Sequence, residues 1–383
     1  MNKLITILRK PITGTLIAIL LGFVCGGLIL GCAGYNPASA LQAMVEGVIG
    51  RPKYVANILV KSTPIILTGC SVAFAYKMGL FNIGAEGQYI FGAMAACLTG
   101  ILLDLNPWIQ IPLVFLAGTL AGALYGALSG WLKARFNIHE VISGIMLNWI
   151  AMYFSNWVVN LDAFHKPNTS GTFPINDSGM ISFFTSWRTT PEAVQFMKTN
   201  PFFGDLLRTD LNPGFIVAVI LVLLAADILY KTSKGYQLRA VGSNKYAAEF
   251  AGINVKKNIV HTMFFAGALS GAAAALAIMG NNPHAIMTLA AFEGNGLNGL
   301  SVAFIANGSP VGCIFSGLLF GGLLYGGQNL QYVVGAPSEI VNIMIGTIVF
   351  FVALKDVIPM IAEWLEHKNA SKKITASNEE VSS

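Results

Sequence analysis

The chain has 383 residues, 55% of them hydrophobic and 11% charged, with a formal net charge of +5. An ordinary soluble domain is about 25% charged, so this chain lacks the polar residues to cover itself in water. The basic excess falls mainly in loops between apolar runs, which argues against nucleic acid as a partner and for an orientation signal in a membrane.

Ten apolar runs read as membrane-spanning helices, at roughly 12–33, 55–76, 83–103, 109–132, 141–160, 213–230, 259–280, 286–306, 311–333 and 339–358. A helix needs about 20 apolar residues to cross about 30 Å of hydrocarbon. Membrane barrels need alternating strands instead, and these runs are continuous. The expected fold is all-α, a polytopic membrane protein with a transmembrane domain over residues 1–365.

Lys3, Arg9 and Lys10 precede the first run, which ends at Ile29-Leu30-Gly31-Cys32. That ending is similar to a lipoprotein cleavage site, but the run is long for a signal core and reads better as a span. With the amino terminus inside, Lys77, Lys133, Arg135, the basic residues from Lys231 to Lys257 and those from Lys355 onward share the cytoplasmic side. Both termini are then cytoplasmic. The cysteines lie in apolar runs without CxxC spacing, which indicates neither a metal site nor a disulfide framework.

Between the second and third runs stands Phe81-Asn82-Ile83-Gly84-Ala85-Glu86-Gly87-Gln88. Asn82 as the helix N-cap puts Glu86 in the first turn, where a carboxylate complements the macrodipole; a place in a solute path is the competing reading. In the fourth run Gly118, Gly122, Gly126 and Gly130 recur every fourth residue, a groove that lets another helix approach closely. Residues 161–212 are polar, with Pro167, Pro174, Pro191 and Pro201 and the aromatics Phe164, Phe173 and Trp187, and read as an external cap or docking surface. Asp227 and Lys231 have the spacing of an i,i+4 ion pair. Gly294, Gly296 and Gly299 interrupt the eighth run, so a broken or re-entrant helix is expected there. The tail 366–383 is polar and without apolar period, the composition of disorder.

Polar residues inside spans are costly and need a partner or a wet cavity. Asn82, Glu86, Gln88, Asn148, Glu293, Asn298, Gln328 and Asn329 are the candidates for a translocation path, and neutral amides suit sugar hydroxyls or a base. Asn57 and Asn156 share that property, while Lys61 reads as a lysine snorkelling to the surface. The breaks near Glu86 and Glu293 resemble each other, and Gly118, Leu120, Gly122 and Leu124 recur in spacing as Gly317, Leu319, Gly321 and Leu323. Five spans per half make these inverted repeats, a common plan for transporters; the general Gly and Leu richness of membrane helices is the plainer account.

Gly294 to Gly299 matches GxGxxG but lacks the strand and βαβ context of a dinucleotide site. No phosphate-binding P-loop is present and no HExxH, so no enzyme is indicated and no cofactor is expected on this chain. In the loop 231–258, Asn244 can cap a short helix over Lys245 to Ala251 that Gly252 ends, with Tyr246 and Phe250 on one side. Such a knob suits either the lipid surface or a docking partner.

Gly235-Tyr236-Gln237-Leu238-Arg239-Ala240-Val241-Gly242-Ser243-Asn244, continuing to Ala251-Gly252-Ile253-Asn254-Val255, resembles the coupling-helix region of the ribose, simple-sugar and nucleoside ABC permease family. Gly79-Leu80-Phe81-Asn82-Ile83-Gly84-Ala85-Glu86-Gly87-Gln88 is similar to that family's most recognisable motif. The resemblance covers about residues 50–355. It implies the permease subunit of an importer in a bacterial cytoplasmic membrane, most like the larger permease of nucleoside systems. Its implied partners are a second permease copy or paralogue, a solute-binding protein outside, and cytoplasmic ATPases that use ATP and magnesium. Arg239, Asn244, Tyr246, Glu249, Phe250 and Gly252 would carry the ATPase contact. An ion-coupled transporter with Glu86 and Glu293 at its breaks is the alternative.

Overall fold

The computed structural model describes residues 11–182, 187–335, 337–354, 357 and 360. Lys3, Arg9, Lys10, Lys355 and the tail 366–383, which carry part of the orientation and disorder expectations, lie outside the described residues. Among the described residues every regular element is helical, and extended backbone pairs only at the isolated bridges His165 to Thr172 and Gly171 to Met287.

In chain order the helices are α1 (Pro11–Cys32), α2 (Pro37–Ile49), α3 (Pro52–Tyr76), α4 (Ala85–Leu102), α5 (Pro107–Phe136), α6 (Glu140–Val159), α7 (Pro191–Thr199) and α8 (Pro201–Leu207). They continue as α9 (Gly214–Lys231), α10 (Ser233–Ser243), α11 (Lys245–Phe250), α12 (Val255–Gly280), α13 (Asn295–Ile305), α14 (Gly312–Val334) and α15 (Ser338–Ala353). By length and composition α3, α5, α6, α9 and α12 can cross a membrane. The chain is an all-α polytopic membrane protein.

Every apolar run meets a helix, but α2, α7, α8 and α10 fall where no span was expected. Local capping begins three of them. Asn36 accepts from Ala38 N (3.0 Å) before α2, Thr190 from Ala193 N (3.3 Å) before α7, and Thr232 from Gly235 N (3.0 Å) before α10. The eighth run is shorter as a helix than its hydropathy suggests: residues 281–294 are not helical, and α13 starts only after Gly294, whose φ of 82° suits a residue without a side chain.

The chain divides into two compact units, residues 1–44 with 327–383 and residues 45–326, the divisions falling within α2 and α14. In the first unit α1 packs on α15, with Gly26 against the Met344 side chain. There the Asn329 amide donates to Ala43 O (2.7 Å), and Gln328 is exposed.

In the second unit α3 is central and buried throughout from Ser62 to Ala75. Pro64 lacks the N–H that would bond Val60 O, and hydroxyls on either side of it donate back into the helix. The Thr68 hydroxyl donates to Pro64 O at 3.0 Å, and that of Thr63 donates to Leu59 O at 2.8 Å. α5 and α12 touch along glycine faces. A Cβ on Gly122 would lie 2.6 Å from both Gly267 O and Gly271 Cα, Gly118 faces Gly92 O and Ala275, Gly126 faces Gly267, and Gly130 faces Met263 and Val260. Such backbone proximity gains dispersion contacts, which hold helices together where apolar burial supplies no drive. Lys133 near the end of α5 pairs with Glu140 at the start of α6, and Asp227 pairs with Lys231 one turn on at 2.5 Å.

Candidate translocation and coupling sites

α3 ends at Tyr76, Gly79 takes a φ of 72°, and five extended or turn residues lead to α4. Asn82 does not cap that helix as the sequence suggests; Gly84 occupies the N-cap position without a side-chain bond. The fully buried Asn82 amide instead pairs reciprocally with Gln88, donating to its Oε1 (2.9 Å) and accepting from its Nε2 (3.0 Å). A further Asn82 N–H reaches Ser71 Oγ at 3.0 Å, and Ser71 donates to Ala266 O of α12 at 2.6 Å. Paired amides satisfy each other's donors and acceptors, so the preference for a local cap loses to a buried network.

The free amino end of α4 is served from α6. Asn148 Oδ1 accepts from Gly87 N at 2.7 Å, while its Nδ2 donates to Ile83 O at 3.0 Å. Gly87 is required there, since a Cβ would stand 2.9 Å from Asn148 Oδ1 and 3.0 Å from its Cα.

Glu86 in turn serves α13. Its carboxylate accepts from Gly294 N (2.9 Å), Gly296 N (2.5 Å) and Leu297 N (3.0 Å), and the side chain is fully buried. α13 has no side-chain cap of its own, so this carboxylate satisfies its orphan amides and sits at the positive end of its dipole. Gly296 lies directly on the Glu86 backbone, and Thr68 donates to Asn295 O at 2.8 Å. Helix α6 therefore caps α4, and α4 caps α13. In this arrangement the polar atoms of Asn82, Glu86, Gln88 and Asn148 are used within the protein.

Glu293 differs from Glu86. It is exposed, takes an Asn295 amide bond at 3.1 Å, and borders a cavity of about 40 Å³ lined also by Tyr89, Ser155 and Met287. Asn298 is half-buried on the first turn of α13. The non-helical stretch before them is held on two sides. Asn156 both donates to Leu289 O and accepts from Leu289 N at 2.8 Å. Part of the segment expected outside pairs with it through Thr172 N to Ile286 O (3.0 Å), Ile175 N to His284 O (2.9 Å) and Thr288 N to Ser170 O (2.8 Å).

In the loop 231–258, Asn244 caps α11 by accepting from Tyr246 N (3.0 Å) and Ala247 N (3.1 Å), and Gly252 ends it with a φ of 81°. Ala248 faces inward, while Tyr246, Glu249 and Phe250 are exposed, Phe250 at 97%. Arg239 points back into the protein: its Nε donates to Leu229 O at 3.1 Å and its guanidinium lies 5.6 Å from the Tyr230 ring centre.

The two motifs singled out in the sequence touch. Gly242 packs on the backbone of Lys77 and Met78, and Gly79 approaches Gly242 O. A cleft of about 420 Å³ opens beside this contact, bordered by Gly79, Lys133, Ser243, Asn244 and Tyr246. Sequence reasoning passed over Gly242, Thr68 and Ser71, whose roles depend on distant backbone. It also discounted Lys61, which the structure leaves exposed at the head of the buried stretch Ser62 to Ala75.

The sequence profile of a family described as branched-chain amino acid transport system / permease component matches residues 54–353. The guanosine ABC transporter permease protein NupP of Bacillus subtilis is 38% identical over 93% of this chain and 97% of its own length. The nucleoside ABC transporter permease protein NupB of Lactococcus lactis is 33% identical over 94% and 96%. The glucose ABC transporter permease protein TsgB13 of Haloferax volcanii is 27% identical over 88% and 85%. No solved structure matches the chain at significance.

Proposed function

The chain belongs to the family of branched-chain amino acid transport system permease components, and from its likeness to particular relatives we propose that the solute it carries is a nucleoside. It is the membrane-spanning permease subunit of an ATP-binding-cassette importer, a multi-pass protein of the cell membrane. Full-length similarity to guanosine and nucleoside permeases, stronger than that to a glucose permease, carries the choice of solute. All these solutes have vicinal hydroxyls, which the polar residues at the breaks can address.

In this reading both termini are cytoplasmic, and α11 is the coupling helix. Tyr246, Glu249 and Phe250 present an exposed face to a separate ATPase subunit that binds ATP and magnesium, while Asn244 and Gly252 shape the knob and Arg239 anchors its base. A second permease, copy or paralogue, completes the path, and an extracytoplasmic binding protein delivers solute to the side of residues 161–212. Closure of the ATPases moves α11, and the Gly242 contact passes that movement to the Gly79 turn, α4 and, through Glu86, to α13. Glu293 and Asn298 beside the broken helix line the path; Gln328 and Asn329, in the first unit, are candidates in their own right. Family membership favours this ATP-driven cycle over ion coupling.

Uptake of labelled guanosine, uridine and glucose by cells with and without the chain, with ATP and the proton gradient clamped separately, tests the reading. Nucleoside uptake should depend on the chain and on ATP. Uptake that collapses with an ionophore while ATP is held constant would overturn the ATP-driven cycle. Separately, Glu249→Lys with Phe250→Asp should abolish copurification with the ATPase, and retained copurification would remove α11 as the docking element.

A further inference from the structure

Helix α3 is the most enclosed of the spans, with 89% of its apolar window buried. Every residue from Ser62 to Ala75 is buried, yet Lys61 at the head of that stretch is exposed. Lys61 stands almost three turns into the helix, with polar Asn57 one turn before it; the Asn57 amide is already bonded to the Tyr325 hydroxyl at 2.8 Å. A lysine serving only to reach the membrane surface has no need of a central helix. An ionisable residue at such depth belongs beside a partner of opposite charge or a watery path.

The opposite charge is present. The Thr68 hydroxyl meets Asn295 O at 2.8 Å and Gly308 packs on Tyr76, so α13 runs alongside α3 in the same direction; Glu293, two residues before Asn295, then lies toward Lys61, which stands two turns before Thr68 on the same face. No direct ion pair joins them: the salt bridges among the described residues involve other side chains. The two groups are thus separate, both exposed, and set beside the discontinuous helix where transporters of this general plan place solute. Glu86, the other carboxylate at a break, is consumed by three backbone amides and is closed to solute.

We infer that Lys61 and Glu293 together hold the vicinal hydroxyls of the solute's sugar ring as it passes the broken helix. A carboxylate accepts from hydroxyl hydrogens and an ammonium donates to hydroxyl oxygens, so the two flank a diol that offers both. The inference rests on the reading of the chain as a carrier of nucleosides, and it names the part of the solute that the path recognises. Asn295 steadies Glu293 from one side through its 3.1 Å bond, leaving the other carboxylate oxygen for solute.

The test compares uptake of guanosine and of 2′,3′-dideoxyguanosine, which lacks the diol, by cells carrying the complete importer, with chain abundance and ATPase copurification measured alongside. The binding protein is unchanged throughout, so a change in the ratio of the two rates reports on the permease. Glu293→Gln and Lys61→Met should each reduce the preference for guanosine by about tenfold, the scale of one hydrogen bond to a charged group. The exchanged pair, Lys61→Glu with Glu293→Lys, should remain impaired. Restored uptake in the exchanged pair would make the two a structural bridge, and single variants that slow both solutes equally would make them scaffold. Either result overturns the inference. Where a single variant fails to accumulate, Lys61→Arg and Glu293→Asp are read on the same ratio, and wild-type ratios in both also overturn it. Should the wild-type importer take up glucose and no nucleoside, glucose against 2-deoxyglucose replaces the pair. A changed ratio there retains the diol contact while the nucleoside reading falls.

Discussion

The Glu86 carboxylate closes the amino end of a helix to which it does not belong, accepting from Gly296 N at 2.5 Å across 210 positions of sequence. Removing it takes the acceptor from the amides of Gly294, Gly296 and Leu297, and the buried Gly296 N–H alone then costs about 1–3 kcal/mol. Glu86→Ala is expected to lower the detergent melting temperature and to cut uptake more than tenfold. Glu86→Gln, which keeps an acceptor oxygen, should fall between it and wild type. A Glu86→Ala protein with wild-type melting and uptake would remove the capping role.

The glycine face of α5 makes a prediction of different origin. At Gly122 even a methyl group meets Gly267 O and Gly271 Cα at 2.6 Å, and both obstacles are backbone that cannot turn aside. At Gly322 the added Cβ meets only Val48 Cγ2, at 3.9 Å. Gly122→Val should therefore push α5 from α12 and abolish a monodisperse detergent-purified species, while Gly322→Ala should be tolerated within about 0.5 kcal/mol. Size-exclusion profiles of the two proteins decide the matter, and equal profiles would count against the close approach.

Gly242 lies where the two recognisable motifs touch, in α10 and beside the cleft that Tyr246 also borders. A side chain there collides with Lys77 O and Met78 Cα, lifting α10 and α11 from the turn at Gly79. Gly242→Val should retain ATPase copurification, because the Glu249 and Phe250 side chains proposed for docking are unchanged, yet lose solute-stimulated ATP hydrolysis and most uptake. Loss of copurification with normal stimulation in the residual complex would place the contact in docking and not in transmission.

Those three positions also mark how far the sequence could be read. The spans were legible because a continuous apolar run has few alternatives in lipid, and α11 was legible because Asn244 and Gly252 act on neighbours within a turn. The groove of Gly118 to Gly130 was visible as spacing, though its partner Gly267 and Gly271 was not. Glu86 was assigned to the first turn of its own helix, which is where it lies; its acceptors' partners are 208 to 211 residues away. Asn82 has the residue type of an N-cap, but the amide of Gln88 competes for it and wins inside a buried pair. Arg239 stands in the motif of the coupling region, yet stacking on Tyr230 and a bond to Leu229 O turn it inward. What sequence lacked in each case was the identity of a distant backbone group.

Asn156 holds the non-helical stretch by two bonds to the backbone of Leu289, both at 2.8 Å, its primary amide supplying the donor and the acceptor from one planar group. Asn156→Leu preserves approximate volume and suits a membrane helix, but it leaves Leu289 N and O unpaired. The middle of the stretch would then keep its pairing with Thr172, Ile175 and Ser170. Since Glu293 follows four residues later, its position would loosen while Glu86 continues to cap α13. The expected result is a folded chain with a melting temperature within a few degrees of wild type, and uptake reduced roughly tenfold. A cysteine placed at Met287, exposed enough to label, gives the direct check: maleimide should modify it faster in the Asn156→Leu background. Equal labelling rates with reduced uptake would show that Asn156 acts on solute and not on the backbone of Leu289.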